Sequence, residues 1–177
     1  MYYRVIQQFI FTLGNLNTIL GKASEQATAR GYSADNFMTQ RLAPDMLPFA
    51  RQVQIACDAA KAAGSLLTGR AAPKFEDTEK TVAELQERIA QTLSYLNTIG
   101  ANDFGHIADD TVIKVPFPAG KAMLAPDAMM QRWLPNFFFH VSMTYAILRK
   151  AALCWARWII WARSRFLTLD ILGRFCA

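Results

Sequence analysis

Residues 126–149 read PDAMMQRWLPNFFFHVSMTYAILR, and this stretch decides the fold. Apolar side chains recur at Met130, Trp133/Leu134, Phe137/Phe138, Val141, Tyr145 and Leu148. That is the period of one helix face and not the alternation of a strand. The stretch is expected as the last core helix of an all-α protein. Pro135 lies inside the pattern, so it kinks the helix or delays its regular start. His140, one of only two histidines, interrupts the apolar face. Asn136 and Thr144 lie four residues to either side of it, on the same stripe.

Upstream of this helix, residues 102–125 carry no helical period. Thr111–Val115 (TVIKV) reads as a short strand, Pro116, Pro118 and Gly120 as a turn, and Lys121–Leu124 (KAML) as a returning strand. One hairpin is marginal alone and must pack on the rest. Before it, Val82, Leu85, Ile89, Leu93 and Leu96 line one face of a third helix that ends at Gly100. Thr81-Val-Ala-Glu84 fits a capping box at its start. A polar link, Pro73–Lys80, precedes it. The second helix is expected from about Asp45 to Leu67, its start bracketed by Pro44 and Pro48. Phe49, Val53, Ala56/Cys57 and Ala60 face inward. Ala59, Ala60, Ala62 and Ala63 make this helix thin, which permits close packing or leaves room for something else. A first helix runs from Tyr2 to about Ala29 on Ile6, Phe9/Ile10, Leu13, Leu16 and Leu20, and stops at Gly31. Asp35-Asn36-Phe37 is placed as a single turn. Four amphipathic segments without a repeat make one helical bundle.

The chain has 177 residues, 53% hydrophobic and 19% charged, enough for one domain with its own core. Its net charge of +5 invites a nucleic-acid partner, but residues 151–177 carry +3 of it and residues 1–150 only +2. No basic cluster marks a phosphate-tracking face, so no nucleic-acid role is expected. Cys57, Cys154 and Cys176 form neither an even framework nor a CxxC, and Cys57 reads as a buried free thiol. No signal peptide or transmembrane segment is evident, and the expected compartment is the cytoplasm.

The chain contains no GxSxG, P-loop or GxGxxG. His140 is the best single candidate for chemistry, as a ligand or proton carrier. The plainer alternative is a core histidine bonded to a neighbouring helix. Gln54 and Asp58, four apart, share a face of the second helix. Tyr145 and Arg149 are also four apart and either line a pocket mouth or are a core ring and a surface charge. Glu76-Asp77 with Glu79, and Asp109-Asp110, read as solvated loops, and His106 as a surface side chain.

Four stretches taken together carry a family resemblance: Arg41-Leu-Ala-Pro-Asp-Met-Leu-Pro-Phe49, Arg51-Gln-Val-Gln-Ile55, Ala72-Pro-Lys-Phe-Glu-Asp77 and Leu134-Pro-Asn-Phe-Phe-Phe-His140. They resemble a bacterial family known only as a domain of unknown function, among the DinB-like (damage-inducible) four-helix bundles. The resemblance spans residues 1–150. It implies a four-helix bundle with a hairpin or long crossover before the last helix. Many DinB-like relatives hold a divalent metal with one histidine on the second helix and an HxxxH on the last, and some are thiol-dependent transferases. Here the second helix has no histidine and the last reads His140-Val-Ser-Met-Thr144, so the three-histidine site is absent. The second and last helices can face each other in that topology. Asp58, Asn136 and His140 would then form a polar cluster, with Asp58 and His140 as the remaining metal ligands.

Family members continue past this helix with a sequence like G-V-x-L-G-K-x-D-Y-L-G, whereas this chain reads Lys150-Ala-Ala-Leu-Cys-Trp-Ala-Arg-Trp-Ile-Ile-Trp161. Read from the third base of each codon, Cys154 gives Leu, and Trp155, Trp158 and Trp161 give Gly, Asp and Gly with their successors. Ala156, Ile159 and Ile160 allow Lys, Tyr and Leu. We therefore read residues 151–177 as a frameshifted tail. It continues the helix and presents Trp155, Trp158 and Trp161 as an apolar stripe that another copy covers, giving a homodimer. The functional expectation is a binding module holding a small ligand or a weakly bound metal near His140. The alternatives are a degenerate metal-dependent transferase or hydrolase of DinB type, and a structural homo-oligomer without catalysis.

Overall fold

The structure, a computed structural model, describes residues 1–115 and 119–151 of the 177. Helix α1 (Tyr2–Ala29) buries Ile6, Phe9, Leu13, Leu16 and Leu20 completely or nearly so, the stripe expected from their spacing. Gly31 turns the chain with φ of 78°, a left-handed conformation that costs glycine nothing. A 3₁₀ turn at Ala34–Phe37 follows, capped by the Ser33 hydroxyl. Its Asp35 carboxylate accepts from the Val82 N–H at 2.8 Å, pinning this connection to the start of the third helix.

Helix α2 (Phe49–Thr68) begins four residues later than expected. Pro48 is the cause. It disfavours helical geometry at Leu47, and it sits extended at the cap with ψ of 163°. The first two N–H groups of α2, at Phe49 and Ala50, bond instead to carbonyls of Gln40 and Met38. Phe49, Val53, Ala56, Cys57 and Ala60 are buried as predicted. Helix α3 (Val82–Asn97) opens on a capping box in which Thr81 and Glu84 satisfy each other's backbone N–H groups. Val82, Leu85, Ile89 and Leu96 are buried and Leu93 half-buried.

Strands β1 (Val112–Lys114) and β2 (Ala122–Leu124) pair antiparallel, with Ile113 opposite Met123 on the face that packs on the bundle. The last helical stretch has three parts: a single turn α4 (Ala125–Asp127), a π-helical segment (Ala128–Trp133) and the long α5 (Leu134–Lys150). Pro135 lies in the first turn of α5, so it delays the regular start. A proline cannot donate into the preceding turn, and the wider π turn accommodates its ring. The π turn also shifts the helical phase. Met130, expected on the inner face, is therefore 46% exposed, while Trp133, Phe137, Val141 and Leu148 are buried.

Four long helices and a hairpin thus share one core. Helix α2 packs along α5 and against α3, and α3 packs on α1. Gln52 of α2 meets His140 of α5, and Ala59 and Ala62, further along α2, share one groove with residues 131–140. Among the described residues no helix is long and apolar enough to cross a membrane. The turn expected at Pro116 and Pro118, and the tail expectation for Trp155, Trp158 and Trp161, lie outside the described residues.

Candidate functional site

A groove of about 760 Å³ opens between α2 and the last helical stretch. Ile55, Asp58, Ala59 and Ala62 form one wall, and Trp133, Asn136, Phe139 and His140 the other. The thin helix serves both purposes foreseen for it. Ala60 and Ala63 are buried in the core, while Ala59 and Ala62 are too short to fill the space towards α5. Phe139 stands at the rim, 52% exposed.

His140 is buried on α5, and its Nδ1 lies 2.7 Å from Oε1 of Gln52 on α2. The Gln52 amide is oriented independently, because its Nε2 donates to the Leu47 carbonyl at 3.0 Å. An amide oxygen only accepts, so the proton sits on Nδ1 and the lone pair of the neutral ring on Nε2. Burial pushes the imidazole below its ordinary pKa, which keeps the ring neutral at pH 7. Only Tyr2 Oη and Arg88 Nε are sealed without a partner among the described residues, so His140 Nε2 is not sealed off. Nε2 bonds to no described residue, and His140 lines the groove. The ring thus offers the groove an acceptor. Thr144, on the same stripe, donates to the His140 carbonyl at 2.9 Å.

Asp58 and His140 make no direct hydrogen bond to each other, and with Asn136 they line one groove. Asp58 turns to α3 instead: its Oδ1 takes Arg88 Nη2 and Lys61 Nζ, both at 2.9 Å. Arg88 is 1% exposed and sits in the apolar stripe of α3 between Leu85 and Ile89. Its Nη1 reaches Asp77 at 2.7 Å and Glu79 at 2.8 Å, and its guanidinium covers the Phe75 ring at 4.3 Å. Arg51 joins from α2, bonding Asp77 at 2.6 Å and Gln54 at 2.8 Å, and Gln54 donates to Glu79 at 2.7 Å. Asp77 holds φ at 58°, an uncommon conformation for a non-glycine residue, tied down by two arginines.

Asp77 and Glu79 are therefore not free loop charges: Glu79 is largely buried, and Asp77, though exposed, is paired with two arginines. They are the acidic half of a buried-arginine clamp that holds residues 73–79 onto α2 and α3. Burial alone would raise both carboxyls, but hydrogen bonds from Arg51 and Arg88 to Asp77, and from Arg88 and Gln54 to Glu79, outweigh it and hold both below the usual range. A signal for this was present: an arginine at a core phase of α3 demands buried carboxylates. Gln52 carried a similar signal, as an amide in the apolar face of α2.

Of the five candidate ligand residues, the structure brings Asp58, Asn136 and His140 to one groove. Gln54 belongs to the Arg88 clamp, and Tyr145 packs half-buried against the core. Arg149 and His106 are exposed. Among the described residues no three His, Cys, Asp or Glu side chains gather as a metal set. Thr144 is committed to a carbonyl, and the α2 residue facing His140 is Gln52, so these residues do not fit a three-histidine metal centre. Cys57 is a core thiol, bonded to Thr92 and pushed up by burial to about 12.

A family model described as a domain of unknown function, DUF1993, matches residues 1–153. A crystal structure titled as a DinB family member protein from Shewanella denitrificans is similar to the chain at 35% sequence identity, with 92% of each chain covered and a TM-score of 0.85. No curated protein matches the chain. The buried-arginine clamp, the hairpin and the groove-lining His140 thus belong to a member of the DUF1993 family with a DinB-like helical fold.

Proposed function

We propose that this chain is a binding module that seats a small organic molecule in the groove between α2 and α5, against His140. One observation carries the reading: a neutral imidazole, its tautomer set by Gln52 and Leu47, contributes an uncommitted acceptor to the wall of an apolar-sided groove. Such a site combines an apolar lining with a few placed polar groups. The metal-dependent alternative lacks its three-histidine ligand set here. Cys57 lies in the core with its thiol pushed up to about 12, so thiolate chemistry does not reach the groove.

The test is NMR of protein labelled with ¹⁵N-histidine, screened against small amines, alcohols and acids and against zinc chloride. Bound molecules are expected to move the His140 Nε2 resonance, and His140→Ala to weaken them. Zinc is expected to bind weakly and wash out on dialysis, since one imidazole and one half-committed carboxylate make a poor set. Molecules that bind without moving that resonance, or that bind the Ala variant equally well, would refute the reading. A zinc ion held stoichiometrically through dialysis would restore the metal-dependent alternative.

A further inference from the structure

Resting on that reading of the groove, we infer that its occupant is a primary amine in its ammonium form, with an apolar body. Asp58, His140 and Asn136 leave acceptors open to the groove. Asp58 gives only Oδ1 to Arg88 and Lys61. Its Oδ2 has no partner among the described residues, and the side chain, 37% exposed, lines the groove. His140 contributes the Nε2 lone pair, and the exposed amide of Asn136 lines the same wall. An ammonium offers three donors to such a set, whereas a carboxylate beside Asp58 and His140 would face lone pairs and would have to turn to Asn136 and Arg132 for donors.

Arg51, Lys61 and Arg88 oppose Asp58, Asp77 and Glu79 one for one, so the ion cluster behind Asp58 carries no net positive charge that would repel a cation. Buried Arg88 also holds the Asp58 carboxylate in one place, so less side-chain freedom is lost when the ligand binds. Ile55, Ala59, Trp133 and Phe139 supply the apolar walls for the body of the molecule. Arg132 lines the groove as well, and it is the anchor that an anionic ligand would use.

The experiment compares hexylammonium, hexanol and hexanoate, which share an apolar chain, by titration of the full chain. Hexylammonium is expected to bind about tenfold or more tighter than hexanol, the worth of a charge-assisted hydrogen bond, with hexanoate weakest. Asp58→Asn should remove most of the amine's advantage and weaken hexanol much less. Because that substitution touches the Arg88 cluster, Asn136→Leu and His140→Phe serve as second variants, each expected to weaken the amine more than the alcohol. Hexanoate binding as tightly as hexylammonium, lost on Arg132→Gln, would overturn the inference while leaving the groove as a binding site. Hexanol binding as tightly as the amine would also overturn it. Binding of none of the three to the groove would overturn this inference, and failure of the wider screen would separately overturn the reading beneath it.

Discussion

Replacing Arg88 by methionine keeps an unbranched apolar stem and removes the charged head from between three carboxylates. Breaking a buried ion pair by removing one partner costs about 3–5 kcal/mol. Two features of the site push the cost to the low end. Asp58 and Asp77 are 37% and 33% exposed, so water takes over part of their solvation, and they keep Lys61 and Arg51. Glu79, at 13%, is the carboxylate left stranded, with Gln54 its remaining side-chain donor. The expected loss is therefore about 3 kcal/mol, or about 6–12 °C in Tm for a chain of this size. The pH dependence follows from the sign of the shifts. Asp77 and Glu79 are held below their ordinary values in the fold, so their stabilisation is complete above the ordinary carboxylate range and lost as pH falls through the lowered values. Urea melts of wild type and Arg88→Met should show the full gap at pH 7 and a narrowing gap below about pH 4. Arg88→Lys, which keeps the charge without the fork, should fall between them. A methionine variant that melts within about 1 °C of wild type, or a gap that widens in acid, would refute the clamp as a stabilising device.

Three other outcomes follow from the structure. The His140 imidazole should titrate below the ordinary histidine value, followed by its ring resonances; since the folded pKa is lowered, it adds stability above pH about 6.5 that fades on acidification, and a titration at or above that value would contradict its burial. Gly64→Ala puts a methyl 2.6 Å from Ile99 Cδ1 and 3.3 Å from the Tyr95 ring, so it should destabilise despite a better helix propensity, whereas Gly14→Ala meets nothing within 4 Å and should stabilise by about 0.5–1 kcal/mol; equal melting of the two variants would be the contrary result. A chain stopped after Arg149 should keep cooperative melting and sediment as a smaller species than the full chain, whereas loss of cooperativity would place residues 151–177 in the core and count against the shifted-frame proposal.

Local rules carried most of the fold. The period of Ile6, Phe9, Leu13, Leu16 and Leu20 and the Thr81–Glu84 box each predict their element from nearest neighbours in the chain. The misses are where a neighbour's geometry overrode the pattern. Pro48 moved the start of α2 by constraining Leu47, and the π segment before Pro135 turned Met130 outward. The first moves a boundary and leaves the buried face unchanged; the second moves the helix phase, which a count of apolar spacings assumes to be constant.

The site was less legible because it depends on which distant side chains meet. Asp58 illustrates this. Its spacing from Gln54 says that both share a face of α2, but not whether that face looks at α5 or at α3. In the structure it looks at both. One carboxylate oxygen closes the Arg88 clamp that fixes residues 73–79, and the residue also lines the groove beside His140. Arg88 is what makes this possible, because a cation buried at a core position of α3 must draw acidic groups inward from two segments of the chain. The buried charge that looks like a fault in the apolar pattern of α3 therefore sets the position of an acceptor in the groove. A substitution at Arg88 should weaken groove ligands as well as the fold, without touching them.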